Sequence, residues 1–301
     1  MKKKRMLIIL CAVLLTGLAI LMFSYVRVTR EAKERFAAYE QKAESVMTSF
    51  GKIAYIDEGQ GEPVVISHGI CGGYDQGFDV LKGRTDLFRI IAPSRFGYPG
   101  SDLPENATVD MQADAFTELL DKLEIEKAYV LATSAGGSAA IRFALLHPER
   151  CKGLILYCSG YPEIKKPDKK PGLSGPPAFL CNDFCMYLFS PLFKPLMGMD
   201  GDALKLILPM EGRKAGIVFD GEVTNRDKAV RYEEYDMSKL SVPVLILHAR
   251  DDKLASFETA EACSRIIPRC TFVPLDDGGH MMKGHEEEIR KALEAFVQEG
   301  T

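Results

Sequence analysis

One serine-centred segment restricts the fold of this chain more than any other part of it. Residues 131–137 read Leu-Ala-Thr-Ser-Ala-Gly-Gly, and they lie between the apolar run Ala128–Leu131 and the helix-like stretch Ser138–His147. This order predicts a buried strand, a sharp turn and then a helix. The small residues Ala132 and Gly136 let the strand and the helix approach closely, so Ser134 is expected in a strained turn at a strand end.

Such a turn is the setting of a nucleophile elbow, in which the serine hydroxyl is presented to a substrate. Ala132 replaces the more common glycine, so the pattern is small-x-Ser-x-Gly. The alternative is that Ser134 only caps the following helix while the glycines turn the chain.

Other segments occur in an order that fits the same interpretation. An apolar strand ends in His68-Gly69 and a glycine-rich loop, and residues 90–102 form the next strand and its loop. The strand Val244–His248 precedes Asp251 and Asp252, and His280 follows two later glycines. Together with the serine turn, these segments resemble the α/β-hydrolase superfamily over about residues 50–299.

The resemblance implies a Ser-Asp-His triad and the residues that form it. Ser134 is then the nucleophile, His280 the base and Asp252 the acid, in the chain order that the family uses. Asp251 is the alternative acid, because it is adjacent to Asp252. The backbone N–H groups of Ile70 and Ala135 are implied as the oxyanion hole.

The chemistry gives a reason for each of these residue types. A serine hydroxyl is a weak nucleophile and needs a base within hydrogen-bond reach, and that base needs a group that fixes its tautomer. His285 is the only nearby competitor of His280, and Cys71 lacks an elbow. The cysteines and histidines have no zinc-binding spacing, and no phosphate-binding loop is found, so no metal or cofactor is expected.

The first 26 residues predict a membrane anchor. A basic cluster at Lys2–Arg5 precedes 21 uncharged residues, Met6–Val26. About 20 apolar residues span the hydrocarbon of a bilayer, whereas the apolar part of a cleaved signal has about 7–15. No small-residue cleavage site follows, so an uncleaved single-pass anchor is preferred to a cleaved signal.

The orientation of this anchor is less well determined by the sequence. Basic residues lie on both sides of the apolar segment, and the cluster at the amino terminus favours an extracytoplasmic catalytic domain. The seven cysteines after the segment, an odd number, favour a reducing compartment. Unpaired buried cysteines are the simpler expectation.

Residues 27–49 predict a helical stalk, because apolar residues recur there at helical spacing. The stalk either continues the membrane helix and docks its apolar stripe on the catalytic part, or it is an ordinary packed helix.

Residues 50–159 and 239–301 predict the core of an α/β-hydrolase fold. Apolar strands alternate with helices, which indicates a mostly parallel sheet with helices on both faces. Residues 160–238 interrupt this alternation and predict an inserted cap, or lid, rich in methionine and aromatic residues. These side chains either line an acyl pocket or form the small core that a cap needs.

The resulting hypothesis is a membrane-anchored serine hydrolase that cleaves a carboxylic ester of an apolar acyl substrate through an acyl-enzyme. Amidases, aminopeptidases and carbon–carbon bond hydrolases use the same triad, and they remain alternatives. A non-catalytic binding protein on the same scaffold is a further alternative. The net charge of −4 gives no reason to expect nucleic acid as a partner.

Overall fold

The computed structural model describes residues 2–169 and 171–299. Met1 of the predicted anchor, Lys170 of the predicted cap and residues 300–301 of the predicted core therefore lie outside the described residues. The centre of the molecule is an eight-stranded sheet in the order β1-β2-β4-β3-β5-β6-β7-β8. The strands are β1 (Glu44–Thr48), β2 (Gly51–Glu58), β3 (Glu62–Ser67), β4 (Phe88–Pro93), β5 (Ala128–Ser134), β6 (Cys151–Ser159), β7 (Val244–Ala249) and β8 (Cys270–Leu275).

Most of the sheet is parallel. The pairs β4–β3, β3–β5, β5–β6, β6–β7 and β7–β8 are parallel, and only β1–β2 and β2–β4 are antiparallel. The predicted mostly parallel sheet is confirmed. Its antiparallel edge is built from the residues that connect the long first helix to the core.

Helices cover both faces of the sheet. The helices are α1 (Lys2–Glu40), α2 (Tyr74–Leu81), α3 (Val109–Lys122), α4 (Gly137–Leu146), α5 (Asp183–Phe189), α6 (Phe193–Met197), α7 (Ala203–Ile207), α8 (Lys214–Phe219), α9 (Asn225–Val230), α10 (Phe257–Ile266) and α11 (Glu286–Glu299). Helices α3, α4 and α10 pack on one face, whereas α2, α11 and the end of α1 pack on the other. The five short helices α5–α9 lie between β6 and β7, in residues 160–238, which we call the insertion.

The buried strand residues explain this two-sided cover. Along β3, Val64 and Ile66 point into the layer of α2 and α11, whereas Val65 points into the layer of α3 and α4. All three side chains are buried. Successive side chains of a strand face opposite sides, so an uninterrupted apolar strand needs a helix layer on each face.

The helix predicted over residues 27–49 is wrong in its last part. Helix α1 ends at Glu40, and Glu44–Thr48 form the edge strand β1, paired antiparallel with β2. Val46 pairs with Ile53 across the two strands. It is half-buried and packs against the core cluster that contains residues of α3. The hairpin that β1 forms with β2 thus outweighs the helical spacing of the apolar residues.

The first part of α1 is long and apolar enough to cross a membrane. Its most apolar 18-residue window has a mean hydropathy of 2.9, and none of that window is buried against the rest of the chain. Helix α1 continues without a break into residues 27–40, so the predicted anchor and the helical part of the stalk form one element.

The second part of α1 packs on α2 and the sheet face that α2 covers. Ala32 and Tyr39 are buried, and the Phe36 ring stacks on Tyr74 at a centroid distance of 5.7 Å. Arg35 forms ion pairs with Asp75 and Asp79 of α2. These contacts fix the direction in which α1 leaves the domain.

Three strand ends bring the predicted site residues to one edge of the sheet. Ser134 ends β5, Asp252 lies three residues after β7, and His280 lies five residues after β8. These strands are parallel, so their carboxyl ends share an edge, where ligands of such sheets bind.

Candidate active site

Ser134 lies in the strained turn that its neighbours predict. Its φ angle is 48°, in the left-handed region that non-glycine residues rarely adopt. The residue is half-buried, and α4 begins three residues later at Gly137. Strain of this kind is concentrated at functional sites and persists only where the surroundings enforce it.

The glycines after Ser134 are required by close backbone contacts. A Cβ atom at Gly136 would lie 1.9 Å from the carbonyl oxygen of Ser67, and one at Gly137 would lie 2.3 Å from Ser159 Oγ. The Ser67 hydroxyl also donates to the Gly136 carbonyl at 2.8 Å. The turn is therefore held between the ends of β3 and β6.

His280 is paired with Asp252. The Nδ1 atom of His280 lies 2.8 Å and 3.1 Å from the two carboxylate oxygens of Asp252. Both side chains are buried. A proton on Nδ1 satisfies this carboxylate, which leaves Nε2 as the basic nitrogen of the ring.

The surroundings of Asp252 keep its carboxylate ionised. Burial alone would raise its pKa, but hydrogen bonds from His248 and His280 hold the pKa well below its ordinary value. The backbone N–H groups of Leu254 and Ala255 also donate to the carboxylate, at 2.8 Å and 3.1 Å. The acid is thus fixed in position from several sides.

Asp251 contacts the same loop in another way. Its carboxylate accepts a hydrogen bond of 2.8 Å from the backbone N–H of Gly279, the residue before His280. Asp251 is exposed, and it makes no contact with the His280 ring among the described residues. Of the two adjacent acids, only Asp252 therefore contacts the imidazole.

Apart from His248, which contacts Asp252, the other histidines have partners outside the His280–Asp252 pair. His285 pairs with Asp277 at 2.8 Å, and His147 pairs with Asp114 at 2.8 Å. His68 is buried, and burial together with the nearby Arg95 lowers its pKa well below the ordinary value. Its ring binds the Gly69 carbonyl and the backbone N–H of Arg95, so it acts as a neutral brace of the loop after β3.

Ser134 and His280 lie at the same sheet edge without a direct hydrogen bond between them in the described residues. In structures without a substrate, catalytic hydrogen bonds are often long and tighten only in the complex. The geometry thus joins His280 to Asp252 and leaves the serine hydroxyl available.

The loop after β3 lies directly beside the serine. A Cβ atom at Gly69 would lie 3.2 Å from the Cβ of Ser134. Within the described part of the chain, the backbone N–H groups of Ile70 and Ala135 donate to no acceptor. Two unused donors beside a serine are what an oxyanion hole requires.

A buried ion pair connects this loop to the insertion. The Arg95 guanidinium binds both carboxylate oxygens of Asp220 at 2.6 Å, and its Nε donates to the His68 carbonyl at 2.9 Å. The Tyr98 hydroxyl donates to the same carboxylate at 2.5 Å. Because these groups are buried, removing one partner would leave an uncompensated charge.

A second buried arginine supports the loop from the other side. Arg213 of the insertion pairs with Asp75 at 2.9 Å and donates to the carbonyls of Cys71 and Gly72. Asp75 also accepts a hydrogen bond from Arg35 of α1 at 3.1 Å. The residues on the carboxyl side of Ile70 are therefore held by a network that reaches the stalk.

Sequence reasoning missed Asp220 and Arg213 as parts of this site. Both are buried, but other charged residues lie close to each of them in the sequence, so nothing local marks them as buried. A buried charge needs a partner. The partners lie more than 100 residues away in the chain, and no local pattern identifies them.

Lys228 of the insertion contacts the first turn of α4, the helix that follows Ser134. Its ammonium donates to Ser138 Oγ at 2.9 Å, and burial lowers its pKa to about 8. With Tyr161 and Glu163 it lines a cleft of about 430 Å³. The motif analysis had not singled out this lysine.

The cysteines form no disulfide among the described residues. Burial raises the pKa of Cys71 to about 12, so its thiol is a poor nucleophile near neutral pH. No group of three or more metal-ligating side chains occurs in the ranges that the structure describes.

Comparison with known proteins gives consistent matches. The family model for the alpha/beta hydrolase fold matches residues 62–179. The AB hydrolase superfamily protein YisY of Bacillus subtilis (strain 168) is 28% identical over 79% of this chain and 91% of its own length. Lipase 3 of Moraxella sp. (strain TA144) is 25% identical over 78% of this chain and 77% of its own length.

One solved structure aligns with the full length of this chain. The crystal structure of a membrane phospholipase A, described as a bacterial virulence factor, aligns with a TM-score of 0.69. It is 20% identical and covers 100% of this chain and 99% of its own, so the likeness is one of fold. With the family match over residues 62–179 and the sheet topology, these findings show that the chain has the α/β-hydrolase fold.

Proposed function

We propose that this protein is a serine hydrolase that cleaves a carboxylic ester through an acyl-enzyme. A hydrolase function is supported by the relatives, which include a lipase. The observation that carries the proposal is the His280–Asp252 pair at the same sheet edge as Ser134 in its strained turn.

In the proposed mechanism, Ser134 Oγ attacks the acyl carbonyl carbon while His280 Nε2 takes the hydroxyl proton. Asp252 holds the imidazole in the required tautomer and stabilises the imidazolium. The N–H groups of Ile70 and Ala135 bind the developing oxyanion, and donors of this kind contribute about 3–4 kcal/mol each.

Collapse of the tetrahedral intermediate breaks the bond to the alkoxy group, which leaves with the proton from His280. A water molecule then attacks the acyl-enzyme with His280 as base, and the acid product leaves as Ser134 regains its proton. No metal or cofactor takes part in these steps.

The proposal includes the insertion as a cap over the acyl pocket and an apolar acyl substrate. Lipase 3 is a relative whose name indicates ester cleavage, and the insertion is rich in methionine and aromatic side chains. Adaptable apolar walls of this kind suit acyl chains. Amides and carbon–carbon bonds are the alternative substrates of the same residues.

A fluorophosphonate probe tests the mechanism without knowledge of the substrate. We expect the full chain in mild detergent to be labelled at Ser134 and the Ser134→Ala and His280→Ala variants to remain unlabelled. Ser264→Ala is the matched control and should label normally, since the Ser264 hydroxyl in α10 donates to the Glu261 carbonyl of the same helix. Labelling at another residue, or none in well-folded protein, would contradict the mechanism.

A second assay tests the substrate class. We expect turnover of a series of p-nitrophenyl esters and much slower turnover of the matching anilides. Faster cleavage of the anilides would replace the ester assignment by an amide one while leaving the triad in place.

We further propose that α1 anchors the protein as a single-pass signal-anchor with an extracytoplasmic catalytic domain. Resistance to alkaline extraction tests the anchor. Protease access to a carboxyl-terminal tag in intact cells tests the side, and a tag cleaved only after lysis would reverse the orientation.

A further inference from the structure

The insertion touches α1 at the end of its apolar segment. The Tyr25 ring makes edge contacts with Phe184 at 5.3 Å and with Tyr187 at 5.4 Å between centroids. The Tyr187 hydroxyl donates to the Leu21 carbonyl at 3.4 Å. Helix α5 is therefore seated against α1 at residues 21–25.

This contact sets the depth of α5 relative to a bilayer. The exposed apolar side chains of α1 extend from Met6 to Phe23 and on to Val26, and the first charge after them is Arg27. At a rise of about 1.5 Å per residue, 21 residues cover about 30 Å, the thickness of the hydrocarbon core. With this segment in the membrane, residues 21–25 and the attached α5 lie at its boundary.

The insertion exposes large apolar side chains around the same point. Six of them, in α5, α6 and the turns beside these helices, are 40–73% exposed: Phe179, Phe184, Leu188, Phe189, Leu192 and Leu196. We call this set the apolar face. Exposed apolar groups are normal when scattered singly, whereas a cluster within 18 residues indicates a contact with another apolar phase.

The apolar face continues to the loops that carry the triad. The Lys253 ammonium contacts the Pro195 carbonyl at 3.4 Å, and a Cβ atom at Gly279 would lie 3.2 Å from the Gly198 carbonyl oxygen. Leu254 and Met281, next to the acid and base loops, are each 47% exposed. Apolar surface therefore extends from the base of α1 to the edge that holds His280.

We propose that the apolar face lies in the boundary between headgroups and acyl chains of the bilayer that α1 spans, so that Ser134 is reached from the lipid side. The proposal rests on the proposed anchoring by α1, and its surface contact does not depend on the catalytic mechanism. The continuity with α1 favours lipid as the occupant over a second copy of the chain.

The absence of tryptophan from the sequence allows a direct test. The Leu196→Trp variant of the full chain places a single tryptophan on the apolar face. Ile266→Trp is the matched control, because Ile266 is likewise exposed, at 46%. It ends α10 just before β8, so it lies at the amino ends of the parallel strands and Ser134 at their carboxyl ends. Both are reconstituted in phosphatidylcholine vesicles with and without brominated acyl chains.

We expect brominated lipid to lower the emission of Leu196→Trp by about twofold or more. Interfacial apolar faces lie about 5–10 Å into the headgroup and acyl boundary, so bromines near the headgroup should quench most strongly. The emission of Ile266→Trp should stay unchanged. Phe179→Trp, at a side chain that is 73% exposed, is the second variant of the face and should behave as Leu196→Trp does.

Flotation of the same vesicles separates this inference from the anchor on which it rests. Protein that floats while neither Leu196→Trp nor Phe179→Trp is quenched would overturn the inference and leave the anchor in place. If the tryptophans stayed unquenched and cross-linking joined two chains through their apolar faces, the inference would also be overturned, and the face would be a contact between two copies of the chain. Protein that does not float would overturn both, whatever the result of fluorophosphonate labelling.

Discussion

At the scale of single residues, two adjacent aspartates have different surroundings. Asp252 binds the His280 ring and is held by three further donors, whereas Asp251 accepts one hydrogen bond from the backbone N–H of Gly279. The first arrangement acts on the imidazole itself. The second acts only on the loop that carries it.

We therefore expect Asp252→Asn to lower kcat by about 10⁴-fold, because an amide no longer fixes the imidazole tautomer. Asp251→Asn should lower kcat by about tenfold at most, since one hydrogen bond to a loop contributes about 1 kcal/mol. Ester hydrolysis by both variants, with circular dichroism as the check of folding, measures the difference. A larger loss in Asp251→Asn would transfer the acid role.

Gly136 provides a second prediction at this scale. A methyl group there would meet the Ser67 carbonyl at 1.9 Å, and a backbone atom cannot move aside as a flexible side chain can. Overpacking typically costs about 1–3 kcal/mol, so Gly136→Ala should lose at least that much unfolding free energy and most of its fluorophosphonate labelling.

Gly83→Ala is the matched control for that variant. Its added methyl group would have no atom within 4 Å, so its unfolding free energy in urea and its labelling should match those of the unaltered chain. Equal stability of the two variants would show that the elbow is less tightly held than its contacts indicate.

At the scale of elements, Asp110 joins three parts of the molecule. It lies in the first turn of α3 and accepts hydrogen bonds from Arg142 of α4 at 2.7 Å and from Arg231 of the insertion at 2.7 Å. Burial alone would raise its pKa, but hydrogen bonds from these two arginines lower it to about 2.

This shift predicts a pH-dependent contribution to stability. The folded pKa lies below the ordinary value of about 3.9, so the contribution is complete above that value and is lost as the pH falls toward about 2. Because Asp110 is partly exposed, we expect it to be on the order of 1 kcal/mol. The Tm difference between the unaltered chain and Asp110→Asn should be largest near about pH 6 and shrink below about pH 4. A difference that stays constant with pH would contradict the assignment.

The sequence predicted the parallel part of the sheet and missed two elements beside it. Strands such as β3 and β5 are apolar throughout because both faces are covered, and that signal is local. Strand β1 was predicted as helix, although it pairs with β2 across a two-residue turn, because its residues are mostly exposed and give little apolar signal. Pairing of this kind overrides local spacing.

Helix α2 was missed for a different reason. Tyr74, Phe78 and Leu81 are spaced as on one helix face, but Gly77 lies between them and weakens the helical pattern. In the fold, a Cβ atom at Gly77 would lie 3.3 Å from the Cβ of Ala92, so the glycine allows α2 to lie close to β4. Gly77 thus weakens the helical pattern in the sequence and, in the fold, allows the close packing of α2 on β4.

The same limit applies to the candidate site. Ser134, Asp252 and His280 could be proposed from short motifs at strand ends, because those motifs are contiguous in the chain. Asp220 and Arg213 could not, because each finds its partner across the boundary between the insertion and the core. Ion pairs between residues far apart in the chain produce no local sequence pattern from which they could be predicted.

At the scale of the whole molecule, the stalk is part of the catalytic domain. Arg35 of α1 shares Asp75 with Arg213, and Arg213 binds the carbonyls that follow Ile70. Arg213 also lies over the Phe36 ring, 5.1 Å from its centroid. A path of direct contacts therefore leads from α1 to the loop beside Ser134.

Truncation of α1 at two points tests the role of this docking. A chain of residues 27–301 keeps Arg35, Phe36 and Tyr39, and we expect its Tm in mild detergent to stay close to that of the full chain. A chain of residues 42–301 loses them all. Tyr39 is buried, and removing a buried aromatic side chain costs about 3–5 kcal/mol. Since 1 kcal/mol shifts Tm by about 2–4 °C in a domain of this size, a drop of about 10 °C or more is expected.

The ionic part of the docking separates positioning from stability in the 27–301 chain. Arg35→Gln leaves the apolar contacts in place and removes one partner of Asp75. We therefore expect the rate of fluorophosphonate labelling to fall while Tm stays close to that of the unaltered 27–301 chain. Arg30→Gln is the control, because Arg30 is exposed and, within the described residues, pairs with exposed Glu34 of the same helix. If the 42–301 chain had the same Tm and the same labelling rate as the 27–301 chain, residues 27–41 would contribute neither to the stability of the domain nor to the position of the loop beside Ser134.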